Sequence, residues 1–121
     1  DEALFTEIVN ILQSNRKTEW IDIHNMRIQQ FGAHLHIDAH ITLPYYYSLK
    51  EAHQEMENVI HLLVKKVDRT IEFNFHLDYC KSFSCEICAI DCPFRQNPFV
   101  QTIQWDVKNI AGIAKHKINE K

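Results

Sequence analysis

Residues 33–42, AHLHIDAHIT, alternate strictly in character. Leu35, Ile37, Ala39 and Ile41 are apolar, while His34, His36, Asp38 and His40 carry imidazoles and a carboxylate. A period of two places successive side chains on opposite faces of a strand, so one face is greasy and the other is lined with potential metal ligands. A solvated strand face is more often built from Thr, Lys, Glu and Ser. A second run, residues 71–78, alternates in the same way, with Phe73, Phe75 and Leu77 on one side and Glu72, Asn74, His76 and Asp78 on the other. Imidazole and carboxylate together suit zinc and its first-row neighbours. With His24 from an earlier strand, the first candidate constellation is His24, His40, His76 and Asp78. The plainer alternative is a polar sheet face whose histidines bond to water. His34 and His36 lie further back on the strand and read as solvated or accessory groups; His61 and His116 are isolated and read as surface histidines.

The four cysteines fall within thirteen residues, as Cys80-x4-Cys85-x2-Cys88-x3-Cys92-Pro93. A Cys-x-x-Cys turn presents two thiolates to one ion, and the flanking pair completes a tetrahedral four-thiolate site, with zinc the leading occupant. The tail of the spacing is similar to the iron–sulfur run ending in Cys-Pro, but its first gap is four residues where that pattern has two. Redox-active or disulfide-bonded cysteines are the remaining readings. Cys80 shares strand parity with His76 and Asp78 and is also available to the histidine site. Disulfide frameworks usually spread cysteines across a small secreted fold, whereas a tight cluster without a secretory signal fits a metal site in a reducing compartment.

The chain has 121 residues, 45% hydrophobic and 24% charged, with a formal charge of −3. One domain's worth of core is available. The absence of a Lys/Arg cluster argues against nucleic acid. Gly32 and Gly112 are the only glycines, too few for a phosphate-cradling loop. No apolar run approaches the roughly 18 residues of a membrane span. No nucleophile–base pair or catalytic motif stands out, so the chain is expected not to be an enzyme.

The elements that position these ligands follow from periodicity. Residues 1–13 repeat apolar side chains at helical spacing. Residues 20–30 form a first strand whose parity changes, with Ile21 and Ile23 at odd positions and Met26 and Ile28 at even ones. That change predicts a bulge near His24 and Asn25 that re-aims His24. Phe31-Gly32 turns the chain into the second strand. Ser48 to Val67 is a helix opened by a Ser48–Glu51 capping box, with a stripe of Leu49, Ala52, Met56, Val59, Ile60, Leu63 and Val67. A strand–helix–strand order in one sheet implies parallel strands, which brings His40 beside His76 and Asp78. By spacing alone His53 falls at the edge of the helix stripe and reads as a core histidine. As a ligand it lies on the wrong side of the sheet, and a second subunit must bring it into reach. Beyond residue 79 a second unit, 80–121, holds the cysteines, a short alternating strand (Phe99, Ile103, Trp105) and a last helix from Asp106 to about Lys117.

The sequences HNMRIQQFG (24–32), HIDAHITL (36–43), SLKEAHQEMENVI (48–60) and FHLD (75–78) occur in an order and at a spacing that resembles the C-terminal cytoplasmic domain of cation diffusion facilitator transporters, over residues 1–78 or so. The resemblance implies an α+β, metallochaperone- or ferredoxin-like α-β-β-α-β fold over residues 1–79 that dimerises beneath a transmembrane domain. It implies binding of zinc or another divalent cation at His24, His40, His53, His76 and Asp78, with Asp78 bridging two metals, and so raises His53 from core residue to ligand. The function expected is a cytoplasmic, homodimeric, metal-sensing domain of a divalent-cation efflux transporter. The alternative is a free-standing zinc buffer or delivery protein.

Overall fold

The computed structural model describes residues 1–118. Its main elements run α1 (Glu2–Asn15), β1 (Asp22–Phe31), β2 (His34–Leu43), α2 (Leu49–Lys66) and β3 (Thr70–Tyr79), followed by a 3-10 helix (Ser82–Ile87) and a short α3 (Val107–Ala111). The α-β-β-α-β order expected from periodicity is present. No helix among the described residues is long and apolar enough to cross a membrane.

The three strands form one sheet in the order β1-β2-β3. β1 and β2 make an antiparallel hairpin turned by Gly32, whose φ of 62° suits a residue without Cβ. β3 returns through α2 and pairs with β2 in parallel. The odd residues of β2 (Leu35, Ile37, Ala39 and Ile41) are buried together with Leu4, Ile8 and Leu12 of α1 and with Val59 and Leu63 of α2. The helices therefore cover one sheet face and leave the even face for other partners.

The predicted bulge is real. Register slips between His24 and Arg27, and Asn25 adopts φ 53°, a left-handed conformation Asn tolerates better than most residues. Past it, Met26 joins the core from an even position, whereas His24 before it faces the other way.

α2 is capped as expected: Ser48 Oγ accepts from the Glu51 N–H at 3.0 Å and Glu51 Oε1 accepts from the Ser48 N–H at 2.8 Å. Its apolar stripe reaches the core only in part, because Leu49 at the first turn is 84% exposed. Near the middle a carboxylate is buried instead. Glu55 Oε1 accepts from the indole N–H of Trp20 at 2.9 Å, and Lys17 Nζ lies 3.2 Å away. Burial pushes the Glu55 carboxyl up, but hydrogen bonds from Trp20, Asn58 and Lys17 outweigh it and hold it below its ordinary value. Glu55→Ala strands the buried indole N–H and is expected to cost about 1–3 kcal/mol at neutral pH. A carboxyl depressed on folding contributes stability above its unfolded value and loses it as pH falls through the folded one. The wild-type advantage in thermal denaturation is therefore expected to shrink in acid. An equal gap at neutral and acidic pH would contradict this account.

The segment after β3 departs from expectation in two ways. The alternating run at Phe99, Ile103 and Trp105 forms no strand, and the last helix ends at Ala111 rather than near Lys117. Packing onto α1 replaces strand pairing. Trp105 and Ile110 enter the same core as the sheet, the Trp105 backbone N–H donates to Gln13 Oε1 at 2.7 Å, and the Arg16 guanidinium stacks 3.7 Å from the Trp105 ring. The chain then crosses β1. The Asn25 N–H donates to the Gly112 carbonyl at 2.6 Å and Arg27 donates to the Ala111 carbonyl at 2.8 Å, so the bulge is held from outside by the extension.

Candidate metal centre

The even sheet face carries two adjacent rows of side chains across all three strands. Register pairs His24 with His40 and His40 with His76, and the next row pairs Asp22 with Thr42 and Thr42 with Asp78. Strand spacing of about 4.8 Å brings neighbouring imidazoles close. Ring centroids are 5.2 Å apart for His24 and His40, and 4.7 Å for His40 and His76, which stack within 15° of parallel.

Asp78 is where the rows converge. Its Oδ2 lies 3.3 Å from His24 Nε2, 3.1 Å from His40 Nδ1 and 3.6 Å from Lys115 Nζ. Among the described residues, His24, His40 and Asp78 form the triad whose ligand atoms all lie within 4.8 Å of one another. Two donors about 2.0–2.1 Å from a tetrahedral zinc are about 3.3–3.4 Å apart, so the observed spacings fit one ion with little movement.

The supporting groups were not foreseen from the sequence. Asp22 is fully buried and accepts three hydrogen bonds: from His24 Nδ1 at 2.6 Å, from Thr42 Oγ1 at 3.0 Å, and from the His116 backbone N–H at 3.2 Å. A carboxylate can only accept, so Asp22 holds a proton on His24 Nδ1 and leaves Nε2, 3.3 Å from Asp78, as the nitrogen that would bind a cation there. This is the carboxylate–histidine arrangement that orients metal-binding imidazoles. A usable signal existed, since Asp22 precedes His24 by two residues and must share its strand face, as His76 and Asp78 do.

His116 is not the isolated surface residue its sequence context suggests. It is buried 6.5 Å from His24 between ring centroids, and its Nε2 is 2.9 Å from the Asn109 carbonyl. The carbonyl accepts, so the proton is on Nε2 and Nδ1, buried without a partner, is a bare lone pair. Burial favours the neutral ring and pushes this imidazole below its ordinary pKa, against the opposing pull of the Asp22 carboxylate.

The other predicted ligands separate. His76 is exposed beside His40. His53 is neither a core residue nor near the triad. Its side chain is 61% exposed on the first half of α2, 3.9 Å from Glu57, where the helix face overhangs the core. His36 pairs with Asp38 and Glu72 back along the sheet, and His61 is exposed. Cys80 does not join the histidines; it lines a cavity with Cys85, Cys88 and Cys92.

Comparison with known proteins places this architecture. The family description "cation efflux protein, cytoplasmic domain" matches residues 1–80. Among solved structures, CzrB superposes with a TM-score of 0.61 at 14% identity, covering 67% of this chain and 98% of that one. The metal-bound C-terminal domain of the CzcD transporter from Thermotoga maritima gives 0.55 at 21% identity, covering 64% and 90%. The CTD of the MamB magnetosome protein of Desulfamplus magnetovallimortis BW-1 gives 0.54 at 16% identity, covering 62% and 90%. At such identities the likeness is one of fold. No curated protein matches the chain by sequence.

Proposed function

The chain belongs to the family of cation efflux protein cytoplasmic domains, and from that premise we propose that it is the metal-sensing, dimer-forming regulatory domain of a divalent-cation efflux transporter, with zinc as the sensed ion. The observation that carries this reading is the convergence of His24 Nε2, His40 Nδ1 and the Asp78 carboxylate, with His24 fixed by the buried Asp22. Two imidazoles and a carboxylate form a donor set suited to zinc. CzrB, which shares the fold, has been solved in a Zn form.

Three ligand atoms from one protomer leave coordination positions open. The exposed His53 and His76 are the remaining imidazoles of the set, and His53 cannot reach the triad from its own protomer's α2. A second copy of the chain supplies it. An ion held by both copies binds one dimer geometry better than others, and that difference in affinity is what shifts the equilibrium. The transmembrane half of the transporter, to which this domain is attached on the cytoplasmic side, reads that geometry. The sensed ion is a bound regulator, and the chain binds without turnover.

Sedimentation equilibrium across a zinc titration tests this reading. Coupling of ordinary size tightens the dimer by about 5- to 150-fold on zinc addition. His53→Ala is expected to abolish the tightening while zinc still binds the triad. Zinc binding that leaves the dimer constant unchanged would overturn the sensing role.

A further inference from the structure

We propose that Cys80, Cys85, Cys88 and Cys92 form a second metal site, a four-thiolate site for a zinc-class divalent cation that shares no ligand with the histidine centre. Three of the four lie beyond the residues matched by the family, so the family does not supply this site. All four line one cavity of about 20 Å³, room for a single water-sized particle.

Three of the four sulfurs are met by backbone donors. The Tyr45 N–H donates to Cys80 Sγ at 3.4 Å, the Gln96 N–H to Cys85 Sγ at 3.4 Å and the Phe94 N–H to Cys92 Sγ at 3.3 Å. A neutral thiol is a weak acceptor, and three backbone donors on three neighbouring sulfurs are of little use to it. Thiolates bound to a cation accept such bonds well, and the bonds orient them.

Arg95 completes the frame. Its guanidinium donates to the carbonyls of Cys85 at 2.7 Å, Cys88 at 2.7 Å and Ile90 at 2.6 Å, tying together the backbone that carries two of the cysteines. It also sets a positive charge beside a site whose four thiolates and one divalent ion sum to −2. Tyr46 lines the same cavity.

The alternative of a reactive thiol fits less well, because Cys88 is buried and Cys80, Cys85 and Cys92 are only half-exposed. On binding, each S–H bond breaks, its proton passes to water and a sulfur–metal bond forms, with no electron transferred. No three of these sulfurs form a set within 4.8 Å like the histidine triad, and a zinc tetrahedron has edges of about 3.8 Å, so the side chains close inward as the ion enters. The bound ion fastens the start of the extension that later crosses β1 and reaches Asp22.

The test uses the whole chain carrying Asp78→Ala, which weakens the histidine centre. Elemental analysis is expected to find one zinc per chain, lost entirely on adding Cys88→Ser and restored by Cys88→His. Cobalt loading of the Asp78→Ala protein is expected to give a thiolate-to-cobalt charge-transfer band that Cys88→Ser lacks. Should the cysteine variants misfold, thiol modification of the folded Asp78→Ala protein releases the zinc in step with loss of thiols. A metal-free Asp78→Ala protein that takes up neither zinc nor cobalt, two disulfides by mass spectrometry in the freshly isolated protein, or visible absorption from iron and sulfide would each overturn the proposal.

Discussion

Asp78→Ala is expected to lower the affinity of the proposed histidine centre for zinc by at least about 100-fold, more than the 10- to 100-fold expected for losing a group that only supports a ligand. Two effects add. The substitution removes the one anionic donor from a set whose other members, His24 and His40, are neutral when they bind. It also leaves the Lys115 ammonium, 3.6 Å from Asp78 Oδ2, without its counter-charge beside the incoming cation. Asp78→Asn separates the two contributions, because it keeps an oxygen donor and removes only the charge; an intermediate affinity is expected. The side chain is only 23% exposed and counters Lys115, so some stability is lost as well, and the affinity is read on protein whose fold is checked first. Titration calorimetry in which the tight histidine-site isotherm persists unchanged in Asp78→Ala would sink the assignment of this carboxylate as a ligand.

The centre was legible in the sequence to the extent that its parts obey strand parity. His40 and His76 fall in register because a strand–helix–strand order makes β2 and β3 parallel, and the alternation of Leu35 to Ile41 fixes which face the histidines occupy. The position of His24 was legible from a fault in the pattern. Where apolar residues switch from odd to even positions, the sheet inserts a bulge, and the residues before it keep the polar face.

Periodicity assigns a side chain to a face but does not say where the surface opposite that face ends. Leu49 and His53 lie at the near end of an amphipathic helix whose first turns overhang the sheet, so an apolar residue there is exposed and a histidine there is free. Glu55 was hidden for the converse reason: its burial depends on Trp20, thirty-five positions away, and no local pattern reports that partner. The extension is the extreme case. Its contacts with the site are a backbone N–H at His116 and an ammonium at Lys115, neither part of a repeating pattern, and the first spans ninety-four positions to Asp22. A short alternating run such as Phe99 to Trp105 reads as a strand when no edge is known. With β1 reached instead through α3, the same residues pack as irregular chain.

Asp22→Ala is expected to damage both the fold and the centre, and the two losses have one cause. The carboxylate is fully buried and gathers donors from three parts of the chain: the His24 ring, the Thr42 hydroxyl and the His116 backbone. Truncation leaves all three without an acceptor in a place water cannot easily reach. Each stranded donor costs about 1–3 kcal/mol, and relaxation makes the total less than their sum, so a loss of about 3–5 kcal/mol is expected. Thr42→Val strands no donor and should cost far less. The His24 ring, no longer fixed with its proton on Nδ1, samples the other tautomer and other rotations, and zinc affinity falls by about 10- to 100-fold. Freed from Asp22, the segment around His116 loses its anchor over β1, and proteolysis after α3 should accelerate. Asp22→Asn distinguishes hydrogen bonding from charge, since its amide oxygen can still accept while its NH2 now faces a donor; it should retain part of the stability and less of the affinity. Denaturant midpoints and zinc titrations on the same samples decide the matter. If Asp22→Ala unfolds at the wild-type midpoint, the buried network is not what joins the extension to the sheet.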